Sequence, residues 1–374
     1  MKVLHLISGG DRGGAKTHIM SLVKGLNKSI HTKIICFIKG DFYDQALDEG
    51  INIEVYEQRH RMDMFVINKL AGGINSENYD LVHCHGARAN FIAMLLKRKI
   101  KQPIITTIHS DYKLDFTDNL YKRILYTKLN TIALNGFDYY IAISDYFKEM
   151  LISRGFQEDK IYVSYNGLDF SLDYQYNKEE FFRKYNIKEK YSLIVGIMAR
   201  LDSVKNHETF ILAASKVLEK KKDILFLIGG KGKEEERLKE LVSNFGIKDN
   251  VKFLGFIKEP YSFYNISDIN TLTSLSESFP YVILEGALLK KPIISTNVGG
   301  ISRLIKDGHN GYLFDTKDAD YLSNKILDLY ARRDHLLTLG KNLYKDVKNN
   351  YSCESMAERH LQIYNEILRR VEHG

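Results

Sequence analysis

The sequence predicts an α/β protein built from two doubly wound parallel-sheet domains. Three observations carry that reading. The chain has 374 residues, about twice a common domain length of ~150. Short apolar runs recur along it, most of them unbroken rather than alternating, as in strands covered on both faces, and longer amphipathic stretches separate them. Repeated β-α units of this kind imply parallel strands joined by right-handed crossovers. A single sheet holding all the runs would be unusually large, and the segment 170–191 is charged and aromatic with no apolar strand.

In the first half the strand segments are 2–7, 33–38, 51–55, 81–85, 104–109, 139–143 and 161–164. In the second half they are 192–198, 224–228, 251–254, 269–273, 293–296 and 311–314. Helical patterns lie between them, among them 17–26, 206–220 and 280–290. The expected organisation is an N-terminal domain over 1–170, a linker with a short helix over 171–190, a C-terminal domain over 191–351 and a final helix over 352–374. No repeat of solenoid period and no low-complexity segment interrupts the pattern.

Composition excludes several classes. Hydrophobic residues make up 44% and charged residues 27%, which argues against disorder and fibrous repeats. Cys36, Cys84 and Cys353 are far apart and form no C-x-x-C. A structural zinc site and a disulfide framework are therefore not expected, and a reduced cytoplasmic compartment is. The N-terminal apolar run stops at Gly9 and Gly10, short of a signal peptide, and no stretch approaches the ~20 apolar residues of a membrane span. The net charge of +7 is diffuse, and no RNA-binding signature accompanies it, so a nucleic-acid partner is not expected. One region departs from this. Residues 97–128 carry eight basic and three acidic side chains, with aromatic and aliphatic residues interleaved, as on helices that lie against an anionic membrane.

In open parallel sheets ligands sit beyond the carboxyl ends of the strands, so the loops after strands hold the candidate residues. The first is the glycine-rich stretch from Ser8 through Gly9, Gly10, Gly13 and Gly14 to His18. It opens a helix whose free N–H groups suit an anion, although it does not fit the dinucleotide fingerprint G-x-G-x-x-G. His85 and His109 end strands at the ligand-facing edge, while His83 points into the core. In the second half Arg200 and Lys205 stand between a strand and a helix start. Two cations there oppose the helix dipole unless an anion is present, and an arginine fork with a lysine point charge suits a diphosphate. The turn at Gly229 and Gly230 is a weaker signal of the same kind. The most specific segment runs from Ser274 to Glu285: a strand ends, Glu277 sits in the loop, Pro280 fits a first helical turn, and Glu285 falls within an apolar helix where a carboxylate needs a partner. Sugar or ribose hydroxyls would serve.

Taken together, these residues resemble the family 4 retaining glycosyltransferases (glycosyl transferases group 1) of GT-B fold. The resemblance rests on the Gly13-Gly14 loop, His109, the Ser164-Tyr-Asn-Gly167 stretch, Arg200 with Lys205, and Glu277 with Glu285 at the E-x7-E spacing. It implies two Rossmann-like domains facing a cleft, the first binding the acceptor and the second the nucleotide sugar. It implies that Gly13 and Gly14 approach the donor diphosphate, that His109 contacts the transferred sugar, and that Arg200 and Lys205 hold the diphosphate. Glu277 would bind sugar hydroxyls and Glu285 the ribose. His85, Asn166, Gly230, Ser278, Phe279 and Pro280 complete the expected substrate-binding set. No metal and no cofactor are expected. The implied donor is a nucleotide-diphosphate sugar, a UDP-sugar on family frequency. The implied acceptor is a glycan or lipid-linked molecule of bacterial-type cell-surface polysaccharide synthesis, met at the inner face of the membrane. Three positions depart from the family's usual pattern: Ser278 for glycine, Tyr165 for proline and Arg303 for an acidic residue. The competing readings are a nucleotide-sugar epimerase of the same architecture, which needs an acid/base set around the sugar ring, and a non-catalytic sugar-binding protein.

Overall fold

The computed structural model describes residues 1–10, 14–60, 63–113, 128, 130–171, 174, 176–188 and 190–373. They form two compact units, one comprising Met1–Asp169 with Tyr351–Gly374 and the other Phe170–Asn350.

The sheet of the first unit holds β1 (Lys2–Ile7), β2 (His31–Cys36), β3 (Ile53–Val55), β4 (Leu81–His85), β5 (Ile104–Ile108), β6 (Tyr139–Ala142) and β7 (Ile161–Val163). Its order is β3-β2-β1-β4-β5-β6-β7, and every pairing is parallel. The second unit holds β8 (Leu193–Met198), β9 (Ile224–Gly229), β10 (Val251–Gly255), β11 (Ile269–Leu272), β12 (Ile293–Thr296) and β13 (Tyr312–Phe314). Its order is β10-β9-β8-β11-β12-β13, again parallel throughout. Both are doubly wound α/β sheets, as expected from the unbroken apolar runs. In each, the first strand pairs with neighbours whose connections leave in opposite directions, so the order reverses beside β1 and beside β8. A crevice opens at such a point beyond the carboxyl ends.

All the expected strand segments form strands, most within one residue at each end; β3 starts two residues later than 51–55, at Ile53, and β2 is shifted as a whole. β2 begins two residues earlier than 33–38, because its register runs from Lys2↔His31 to Ile7↔Cys36 and so the six residues of β1 fix both of its ends. The first helix, Gly14–Leu26, starts earlier than 17–26. The helix expected at 206 begins at His207, since Asn206 adopts the left-handed conformation (φ 49°, ψ 48°) after the 3-10 turn Ser203–Lys205. Pro280 does not occupy a first helical turn: its ψ of 127° is extended, and the helix is Tyr281–Leu288.

Both faces of each sheet are covered, which explains why the strands lack alternation. Along β1, Leu4 and Leu6 enter one hydrophobic cluster, whereas Val3 and Ile7 face the helices on the opposite side. The segment 171–190, expected as a linker, contains the helix Lys178–Lys184, whose Phe181 and Phe182 are buried in a cluster of the second unit. The closing helix Cys353–His373 packs on the first unit through Met356, Ile363, Tyr364 and Ile367. It lies so close to Gly14–Leu26 that a Cβ on Gly25 would come within 2.7 Å of both Cys353 O and Ala357 Cβ. No helix among the described residues is long and apolar enough to cross a membrane.

Candidate functional site

In the second unit the chemistry gathers at the point where the strand order reverses. β8 runs into Ala199–Asn206 and β11 into Thr273–Pro280, and these two loops are tied together by backbone. Leu275 N donates to Val204 O at 2.8 Å, and the Thr273 hydroxyl bonds the carbonyls of Lys205 and Asn206 at 2.9 Å each. The side chains then meet directly. Lys205 Nζ lies 2.6 Å from Glu277 Oε1, with the lysine side chain 19% and the glutamate 9% exposed. Ser274 Oγ donates to the same oxygen at 2.6 Å.

This pairing changes the electrostatic reading of the sequence. The cation ahead of the helix His207–Lys220 is balanced by an internal carboxylate, so an anionic ligand is not its sole compensation. Arg200 differs: its side chain is 81% exposed and pairs with Asp202 at 3.2 Å. The loop therefore carries one half-buried cation paired with a carboxylate and one exposed guanidinium fork.

Two glycines hold the loops in position. A Cβ on Gly299, whose φ is +57°, would stand 1.7 Å from Glu277 O, and Gly300 N donates to Ser278 O at 2.9 Å. The turn after β12 thus supports the backbone that carries Glu277. Gly230, at φ +135°, would place a Cβ 1.9 Å from Ala199 O, so the loops after β8 and β9 touch backbone to backbone. Only glycine permits such approaches. Ser278 is half-buried, whereas Phe279 and Pro280 are buried, which puts Phe279 in the packing of the unit.

Glu285 sits in the second turn of helix Tyr281–Leu288. Its Oε2 accepts from Tyr264 OH at 2.8 Å. Burial pushes the carboxyl up to about 7, and the tyrosine bond opposes that rise. The partner that an apolar helix demands is therefore an internal phenol, with Tyr261 and Tyr281 also close enough to feel its charge.

In the first unit the carboxyl ends of β1, β4 and β5 gather histidines. His85 Nδ1 stands 3.3 Å from His109 Nε2, and His85 Nε2 stands 3.1 Å from His5 Nδ1. His18, on helix Gly14–Leu26, bonds Asn166 Oδ1 through Nδ1 at 2.9 Å. His83 bonds Tyr364 OH and Thr107 Oγ1, each at 2.7 Å. His360 of the closing helix reaches Met356 O at 2.9 Å and Ser164 Oγ at 3.1 Å. His83 is core, as expected. The gathering of six rings was not foreseen, because His5, His18 and His360 come from three separate elements. The alternation of β1, with His5 on the face opposite Leu4 and Leu6, was the available signal. Burial holds His5 and His360 down to about 3 and His18 to about 4, and it lowers His83, His85 and His109 as well. These imidazoles are neutral at neutral pH.

Gly14 begins its helix and is exposed, and Gly13 lies outside the described residues. Of the basic region 97–128, residues 114–127 lie outside them too. At its margins Lys97 pairs with Asp138, and Tyr112 is buried under Arg154.

Comparison with known proteins adds independent findings. Residues 12–172 match the family model described as Glycosyltransferase Family 4, and residues 177–346 match Glycosyl transferases group 1. A glycosyltransferase of Methanocaldococcus jannaschii, MJ1607, is 27% identical over 94% of this chain and 94% of its own. The O-antigen biosynthesis glycosyltransferase WclY of Escherichia coli is 25% identical over 99% of this chain and 100% of its own. Among solved structures, Anabaena HepE in complex with UDP-glucose superposes with a TM-score of 0.81 at 20% identity, covering 98% of this chain and 100% of that one.

Proposed function

Since the chain belongs to the glycosyl transferases group 1, with the GT-B type of fold, we propose that it moves a sugar from a nucleotide-diphosphate donor, a UDP-sugar, to a glycan or lipid-linked acceptor. We place the reaction in bacterial-type cell-surface polysaccharide synthesis, retaining at the anomeric carbon and independent of metal. The observation that carries the proposal is the Lys205–Glu277–Ser274 constellation at the carboxyl ends of β8 and β11, with Arg200 extended beside it. The O-antigen relative and the UDP-glucose complex of HepE point the same way.

In this proposal the bond from C1 of the sugar to the diphosphate oxygen breaks, and its electron pair passes to that oxygen. Arg200 and Lys205 stabilise the charge that develops there, in a site already oriented to receive it. Glu277 fixes the ammonium of Lys205 before the donor arrives. The acceptor hydroxyl forms its bond to C1 on the face the leaving group occupied, and its proton passes to the departing phosphate. No side chain of the protein becomes covalently attached. His109, neutral through burial, contacts the sugar by hydrogen bonding rather than by charge. Glu285 binds the nucleotide ribose, exchanging or sharing its bond to Tyr264. The first unit takes the acceptor, and residues 97–128 give it reversible attachment to anionic lipid at the inner membrane face.

A thermal-shift screen of UDP-, GDP- and ADP-sugars tests the donor class. A ligand at a hundred times its dissociation constant adds ~2.7 kcal/mol of stability, so a UDP-sugar should raise the transition clearly. A protein stabilised by none of the three would refute the reading. Incubation with the UDP-sugar alone separates transfer from epimerisation: an epimerase converts the donor, whereas a transferase releases UDP slowly at most.

A further inference from the structure

The six clustered histidines of the first unit include two groups of three whose ring nitrogens lie within 4.8 Å of one another: His5, His83 and His85, and His18, His85 and His109. The first group is already spent. Both nitrogens of His83 are bonded, to Tyr364 and Thr107. The second group differs at each member.

His18 donates its Nδ1–H to Asn166 Oδ1, which can only accept. That fixes the tautomer and leaves a lone pair on Nε2, a buried atom with no hydrogen-bond partner. Such orphaned acceptors are uncommon in folded proteins and call for an explanation, a bound ion being one. His85 can donate Nε2–H to His5 Nδ1, which leaves the lone pair of its Nδ1 facing His109 Nε2 at 3.3 Å. Two nitrogens, each 2.0–2.1 Å from a tetrahedral zinc ion, stand about 3.4 Å apart. The existing separation is thus the edge of a zinc tetrahedron. Asn166 and His5 supply the outer bonds that orient metal-binding imidazoles.

We propose that His18 Nε2, His85 Nδ1 and His109 Nε2 form a three-imidazole site for a divalent transition ion, with Zn2+ as the ligand and the fourth position open. All-imidazole donor sets of this kind suit zinc over magnesium or calcium. Burial keeps the three rings in the neutral form that binds metal. On binding, the proton shared between His85 and His109 moves to Nδ1 of His109, so none need be lost. The metal takes no part in turnover, although the site shares His109 with the sugar contact proposed above. Where His109 contacts the sugar, a consequence resting on that reading, zinc occupies the same nitrogen and inhibits transfer.

The test uses full-length protein stripped with EDTA and desalted. Zn2+ is titrated in competition with a chromophoric chelator, and Co2+ is added in parallel to report coordination by its visible spectrum. One equivalent of zinc should bind, and Co2+ should give the intense bands of a tetrahedral site. His109→Ala, at the half-exposed edge of the cluster, should keep the fold by circular dichroism and weaken zinc binding by more than tenfold. Asn166→Ala should weaken it by about 10–100-fold, the range for lost outer bonds to metal ligands. His31→Ala, on the surface, should bind as the parent does. Absence of stoichiometric zinc binding would overturn the proposal, as would binding that persists unchanged in His109→Ala. Zinc bound at one equivalent without inhibition of transfer would uphold the site and remove His109 from the reaction.

Discussion

Lowering the pH from about 7 to about 5.5 should unfold the first unit far more readily than the second. His5, His18 and His360 are buried and held at about 3 to about 4, against an ordinary value near 6.5. Over this interval the unfolded chain takes up protons that the folded one refuses, so stability falls as pH falls. The linkage relation gives a loss of about 1.2 kcal/mol per histidine, or on the order of 4 kcal/mol for these three. His83, His85 and His109 shift the same way and deepen the loss. In the second unit two groups oppose each other. His207, lowered to about 4 by burial, loses a similar amount. Glu285, raised to about 7, takes up its proton in the folded state first and gains about 1.6 kcal/mol over the same step. Its contribution is present at low pH and is lost as pH rises through about 7. The second unit should therefore hold nearly level. Amide hydrogen exchange at the two pH values, corrected for intrinsic rates, reads the units separately through β1, β4 and β5 against β8, β9 and β11. A protection factor in β1 that falls more than tenfold while β8 changes little supports the account. Equal pH dependence in both units would refute it.

Other expectations follow from the second unit. Lys205→Met should cost about 1–3 kcal/mol in urea unfolding, because it leaves the Glu277 carboxylate nearly buried and unpaired; the double variant Lys205→Met/Glu277→Gln should recover part of that loss, and additive costs would show that the pair is not coupled. Gly299→Ala should destabilise by more than ~1 kcal/mol from its left-handed backbone alone, with a further cost from the contact to Glu277 O, and a neutral effect would mean that the turn does not support the loop. EDTA should leave turnover unimpaired, whereas strong inhibition reversed by Mn2+ would exclude the metal-free mechanism. The protein should co-sediment with anionic liposomes at low salt, release at high salt and bind less as Lys122→Glu/Arg123→Glu; no binding at low salt would remove the membrane role of 97–128.

The fold was legible because it depends on local pattern. Ile224–Gly229 is buried along its whole length and Leu193–Met198 at every residue but the last, and their sequences are accordingly apolar runs. Element ends were less so, since partners set them: β2 stops where β1 stops, and Pro280 stands outside its helix because the preceding loop is extended there. In the candidate site, Arg200, Lys205, Glu277 and Glu285 could be picked out as charges beside strands and helix starts. Their internal partners could not. Lys205 and Glu277 are 72 residues apart, and Tyr264 is an ordinary aromatic until the fold brings it to Glu285. The histidine cluster was hidden for the same reason, as His18 and Asn166 are separated by 148 residues.

The central claim is that the loops after β8 and β11 bind a nucleotide diphosphate through Arg200 and Lys205. Calorimetric titration of UDP and of uridine into the parent protein and Arg200→Ala tests it without knowledge of the acceptor. Arg200 is exposed, so its removal should leave the fold intact. A charge-assisted bond of about 1.5–3 kcal/mol corresponds to a loss of about tenfold or more in UDP affinity, with uridine binding unchanged between the two proteins. UDP binding by Arg200→Ala as tight as by the parent, or no binding of any nucleotide diphosphate by the parent, would contradict the account.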